Sequence, residues 1–108
     1  MVVGEGGEDR IFHALADATR RDILARVFRA GMSVTALARL YPMSFAAVQK
    51  HVAVLEQAGL VTKERRGREQ IVHGEPDTLR GAVGNLMDAY EQIWRHRAAR
   101  IANILEEE

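Results

Sequence analysis

Large apolar residues recur along this chain at helical spacing in five places, with polar residues or a glycine between the runs. Ile11, Phe12 and Leu15 mark a first short helix starting at Asp9, after a Gly- and Glu-rich stretch, residues 1–8, that reads as a flexible tail. Asp17 reads as the N-cap of a second helix, whose stripe is Ile23, Leu24, Val27 and Phe28 and whose end is set by Gly31. Ser33 or Thr35 caps a short third helix with Val34, Leu37, Ala38 and Leu40, which ends near Tyr41 because Pro42 disfavours helical geometry before it. Ser44 caps a fourth, with Val48, Val52 and Leu55 at i, i+4 and i+7, and Gly59 terminates it.

The period then changes. Leu60 to Arg66 and Glu69 to His73 are two short runs about Gly67-Arg68, the pattern of a β-hairpin. From Asp77 to about residue 105 a single long helix is predicted, with Leu79, Val83, Leu86, Tyr90, Ile93, Trp94, Ile101, Ile104 and Leu105 on or near one side. At about 1.5 Å per residue its length is some 40 Å, an overhang for so small a domain. The expected fold is mainly α with a small β-hairpin: a winged helix-turn-helix of about five helices and a two-stranded wing. Residues 9–76 are expected to form this winged helix-turn-helix and 77–108 the long last helix of the same domain.

The fourth helix carries the functional signal. Val48, Val52 and Leu55 fall within about 60° of one another on a helical wheel, whereas Ala46, Ala47 and Lys50 point the opposite way and Gln49 and His51 lie on the flanks. A helix enters the B-DNA major groove, about 12 Å wide, only if its leading side chains are small or can bond base edges. Alanine is also the best helix former, so an alanine-rich face has a plainer reading. Lys50 and Gln57 argue against a helix buried on both sides.

Charge sharpens the picture. The net charge of the 108-residue chain is zero, which argues against a nonspecific polycation. Its distribution is uneven: residues 1–38 carry five acidic and five basic side chains, 39–73 three and six, 74–108 seven and four. The middle segment is therefore the one suited to an anionic partner, and Lys63, Arg65, Arg66 and Arg68 lie at the hairpin. There is no cysteine, no apolar run near the roughly 20 residues needed to span a bilayer, and no secretory leader pattern, so a soluble cytoplasmic protein with no membrane contact is expected.

The stretch MSVTALARLYPMSFAAVQKHVAVLEQAGLVTKERRGRE, with the earlier ALADATRRDILARV, resembles the ArsR family of bacterial winged-helix repressors. The likeness covers roughly residues 10–73 and, less specifically, the last helix with YEQIWRHR. The resemblance implies a homodimer that binds double-stranded DNA at an inverted-repeat, palindromic operator and blocks transcription. It also implies DNA contacts from Ser44, Phe45, Ala46, Ala47, Gln49, Lys50 and His51, and from Arg65, Arg66 and Arg68 in the wing. Two positions depart from the pattern: Ala18 where relatives often have proline, and Phe45 where a polar residue is usual. The Phe45 ring can meet a thymine methyl or tuck inward.

Many relatives release DNA when a metal binds cysteines on the reading-head helix or Asp/His pairs on the last helix. Here His13, His51, His73 and His96 are scattered, and Asp88 and His96 stand eight residues apart, so no metal and no cofactor is expected. The resemblance is closest to a branch without metal ligands. A metal-responsive sensor remains an alternative, as does a winged-helix module that binds another protein. No catalytic constellation is found: His13 and Asp17 lack a nucleophile, and GEGG near the start precedes no strand, so an enzyme is not expected. The apolar length of the last helix requires cover, which predicts a dimer seam of Ile11, Phe12 and Leu15 with Leu79, Val83, Leu86, Tyr90, Trp94 and Ile101. The operator and any effector ligand are left open.

Overall fold

The structure is a computed structural model that describes residues 7–107. Its elements, in chain order, are α1 (Gly7–Leu15), α2 (Ala18–Arg29), β1 (Met32–Ser33), α3 (Val34–Ala38), α4 (Phe45–Gln57), β2 (Val61–Arg66), β3 (Glu69–Gly74) and α5 (Pro76–Glu106). This is the mainly helical winged helix-turn-helix that the periodicity predicts, with one strand more. Met32 and Ser33 pair with Val72 and Ile71, so the wing belongs to a three-stranded antiparallel sheet of order β1-β3-β2. A two-residue strand has too short an alternation to be legible before its partner is in place. The helix α1 begins at Gly7, so residues 7 and 8 of the predicted tail are helical; the rest of that tail lies outside the described residues.

Helix starts follow the expected chemistry. Asp17 Oδ2 accepts from the Arg20 amide at 2.9 Å, Ser33 Oγ from Ala36 at 3.0 Å and Ser44 Oγ from Ala47 at 3.1 Å. At the end of α4 the Leu60 amide donates to the Leu55 carbonyl and the Gly59 amide to that of Glu56, with Gly59 at φ 75°; this pair of hydrogen bonds reverses the chain into β2. Among the described residues Gly67 is the other glycine with positive φ, 62°, and it closes the hairpin as its first central residue. Gly31 ends no helix in this way. Ala30 leaves α2 in extended geometry, and a side chain at Gly31 would meet the His73 ring, with Cε1 2.6 Å from its Cβ.

The core is one cluster. Ile23, Leu24 and Val27 of α2, Val34 and Leu37 of α3, and Val48, Val52 and Leu55 of α4 close over Leu60, Val61 and Val72 of the sheet. Two residues of the predicted stripes of α2 and α3 stand apart from it. Leu40 lies beyond α3, which stops at Ala38, and is exposed; Phe28 is half out at the end of α2, its ring over Gly74.

The turn between α3 and α4 is tied to α2. Tyr41 donates its hydroxyl to Asp22 Oδ2 at 2.6 Å, and Arg26 Nε donates to both that carboxylate, at 2.9 Å, and the Tyr41 hydroxyl, at 3.2 Å. Burial, and next the bond to Asp22, push the Tyr41 phenol up to about 12. A folded value above the ordinary one means that this contribution to stability is complete below about pH 10 and is lost as pH rises from there through about 12. Phenolate absorbance in a Tyr90→Phe chain should therefore rise with a midpoint near 12, or jump together with unfolding; a midpoint at the ordinary tyrosine value would contradict the contact.

Arginines join α1 to the rest. Arg20 donates from Nε to the Ala14 carbonyl at 2.8 Å and from Nη2 to that of His13 at 3.0 Å, and Arg21 Nη1 donates to Leu15 at 2.6 Å. Two cations of α2 thus satisfy the last carbonyls of α1, where the helix dipole is negative.

The 31-residue α5 is seated only by its first turns: Ala82 is buried and Leu79 is packed on the core, but every residue from Met87 to Glu107 is exposed. The radius of gyration is 19.4 Å, against about 13 Å for a compact chain of 100 residues. Among the described residues no helix is long and apolar enough to cross a membrane.

Candidate nucleic-acid interface

The buried stripe of α4 fixes which of its residues face outward. With Val48, Val52 and Leu55 fully buried, Ala46, Gln49 and Lys50 are exposed, and Ala47 is half-buried. Ser44 is exposed at the head of the helix with its hydroxyl already holding the Ala47 amide. The result is a slim surface of two alanines with one amide and one ammonium group.

Strand alternation then sorts the wing. Val61, Lys63 and Arg65 share the inner face of β2, since Val61 is buried, and Thr62, Glu64 and Arg66 share the outer one. Arg65 and Arg68 accordingly meet the head of α4: with Val34, Thr35, Phe45, Gln49, Gln70 and one carboxylate, Glu69, they line a cleft of about 270 Å³. Arg66 projects from the other face, where its Nε donates to Glu64 Oε1 at 3.1 Å; Glu64 Oε2 is 3.1 Å from His73 Nε2. The Arg66 bond and charge, reinforced by His73, hold the Glu64 carboxyl below its ordinary value.

His51 lies away from the cleft, toward the start of α2. Its Nδ1 is 3.8 Å from Asp17 Oδ2 and 3.5 Å from Arg20 Nη1. The Asp17 carboxyl is held low, first by the Arg20 amide it accepts from and then by the charges of Arg20 and His51. Of the ten residues singled out in the reading head and wing, the fold brings Phe45, Gln49, Arg65 and Arg68 together, sets Ser44, Ala46, Ala47 and Lys50 beside them, and separates His51 and Arg66. Thr35, Glu69 and Gln70 join the cleft unanticipated by the sequence, because packing of α3 on the sheet and pairing of β3 with β2 place them there.

The proposed seam is also redistributed. Ile11 is only 8% exposed, within the chain's own core, because the inner side of α1 packs on α2 and α4, which leaves it little surface to offer a second chain. Phe12, Leu15, Leu79 and Leu86 are half-buried, and Leu15 and Leu79 already rest on that core. Val83, Tyr90, Trp94 and Ile101 are exposed, Tyr90 at 65% and Trp94 at 62%.

Among the described residues no three His, Asp or Glu side chains come together, and the chain has no cysteine.

Comparison with known proteins agrees with this geometry. A family described as a helix-turn-helix domain matches residues 15–64. The HTH-type transcriptional regulator Rv2034 of Mycobacterium tuberculosis is 32% identical over 100 residues, which cover 93% of this chain and 90% of that protein. The structure of an ArsR-like transcriptional regulator from Rhodococcus sp. RHA1 superposes with a TM-score of 0.78 at 33% identity, covering 91% of this chain and 92% of that one. A winged helix-turn-helix DNA-binding domain from Mycobacterium bovis, described as homodimeric and as a possible ArsR-family regulator, matches with a TM-score of 0.64 at 26% identity, over 79% of this chain and 80% of that one.

Proposed function

The chain belongs to the ArsR-like helix-turn-helix transcriptional regulators, and from that premise we propose that it is a cytoplasmic homodimeric repressor of an inverted-repeat operator that needs no metal and has no catalytic role. The observation that carries the reading is the slim outer face of α4, with Gln49 and Lys50 exposed beside a cleft whose far wall holds Arg65 and Arg68. Gln49 and Lys50 meet base edges, which specify sequence, and the wing arginines meet phosphates, which set affinity and register. Ser44 and the free amides of the first turn of α4 add a phosphate contact. The two-fold arrangement is supported by the uncovered face of α5 and by the homodimeric state described for the M. bovis domain. Metal independence is supported by the donor set.

Duplexes selected from a random pool and titrated over a range of salt test the assignment. Gln49→Ala and Lys50→Ala should flatten the preference between selected and altered duplexes, by about 1–3 kcal/mol for each base pair no longer read. Arg65→Ala and Arg68→Ala should weaken every sequence alike and each reduce the slope of log K against log salt by about 0.9. The Arg66→Ala change should be the mildest, since Glu64 already holds that guanidinium. If the substitutions at Gln49, Lys50, Arg65 and Arg68 all left affinity and slope untouched, the contacts would be misassigned. Salt-insensitive binding of a protein with no duplex preference would favour an interaction module instead.

A further inference from the structure

We propose that Phe45 is a specificity-determining residue that reads the C5 methyl group of a pyrimidine, in thymine or in 5-methylcytosine, on the floor of the major groove. The inference rests on the DNA-reading role just proposed and adds what that role leaves open, a task for the aromatic ring at the head of α4.

The core does not use this ring. Phe45 is 47% exposed and is absent from both the buried core and the apolar residues packed against it, although Tyr41 and Met43, close by in the chain, are part of that layer. An inward-tucked ring is thereby excluded. Nor is it held by the wing arginines: among the described residues the cation–π contact is Arg26 over Tyr41, at 5.8 Å. Phe45 is instead a wall of the cleft shared with Gln49, Arg65 and Arg68.

Its position is the second part of the argument. Phe45 is the first residue of α4, and the N-terminal residues of a recognition helix are the ones that reach base edges. The other exposed residues of this helix are Ala46, Gln49, Lys50, Glu56 and Gln57, so Phe45 is its one large apolar group facing out. Along the major groove every base edge offers hydrogen-bonding groups, and the apolar feature is the C5 methyl. A phenyl ring gains nothing from the polar edges and gains burial from the methyl.

The test uses the full chain and a duplex selected from a random pool. Each thymine in turn is replaced by deoxyuridine, which removes only the methyl, and Kd is read by fluorescence anisotropy for the native chain and for Phe45→Ala. One thymine in each half-site should show a loss of about fourfold, the effect of one buried methyl group, for the native chain and none for Phe45→Ala, with Phe45→Leu intermediate. If the pyrimidine read is cytosine, the uridine scan is flat and 5-methylcytosine at one position per half-site tightens native binding about fourfold while leaving Phe45→Ala unmoved. Sequence-selective native binding in which neither scan changes Kd beyond about twofold, or in which the change persists in Phe45→Ala, overturns the inference and leaves the DNA-reading role intact. A native chain that prefers no duplex overturns both.

Discussion

A chain carrying Ile93→Glu and Trp94→Glu is expected to be monomeric and to bind a two-half-site duplex about 10²–10⁴-fold more weakly than the native chain, because two linked reading heads gain an effective concentration that one lacks. The physical basis lies in α5. Met87, Tyr90, Ile93 and Trp94 are each 62% or more exposed, along a helix whose first turns alone touch the body of the protein. The apolar positions at 79, 83, 86, 90 and 93 step by four and three, which keeps them on one side of the helix. Such a stripe in water is the mark of an interface, and in a symmetric dimer each substitution acts twice. Light scattering measures the mass and a gel shift the affinity. Because residues 93 and 94 lie far from the core, the circular dichroism of the monomer should stay close to native. A dimer of unchanged stability would place the seam elsewhere, on Phe12 and the outer side of α1.

Leu55→Ala is expected to have the largest effect on stability. Leu55 has no exposed surface and stands with Val48 and Val52 at the centre of the core. Removing a buried leucine side chain costs about 2–5 kcal/mol, the spread depending on how far the site collapses. For a domain of this size each kcal/mol lowers Tm by about 4–8 °C, so the variant should melt far below the native chain when both are scanned at one concentration. DNA binding should fall with it, since the same stripe that Leu55 completes aims Gln49 and Lys50 outward. A shift of only a degree or two would mean that α4 is less firmly anchored than its burial implies.

Local features were the most legible in the sequence. Asp17, Ser33 and Ser44 cap the helices predicted to start there, and Gly59 and Gly67 adopt the positive φ that their places in the pattern require. These assignments need only a few neighbouring residues, because a cap or a turn is closed by hydrogen bonds within three or four positions of the chain. The same holds for the division of α4 into a buried stripe and a thin outer face. Gly31 differs for the opposite reason: in the sequence it reads as a helix terminator, whereas in the fold a side chain there would meet the His73 ring, which comes from a strand more than forty residues away.

The set of elements, the inner side of each and the resemblance that points to DNA are therefore legible in the chain's residues, since periodicity and capping are properties of short segments. Which polar side chains converge is settled only when the chain is folded. Folding put Arg65 and Arg68 by Phe45 and Gln49, sent Arg66 to Glu64 and His51 to Asp17, drew Ile11 into the core, and used Arg20 and Arg21 to close α1. A charged side chain on a surface element has no periodic signal of its own; its partner is set by how sheet pairing and helix packing bring distant segments together, and that is a property of the whole fold.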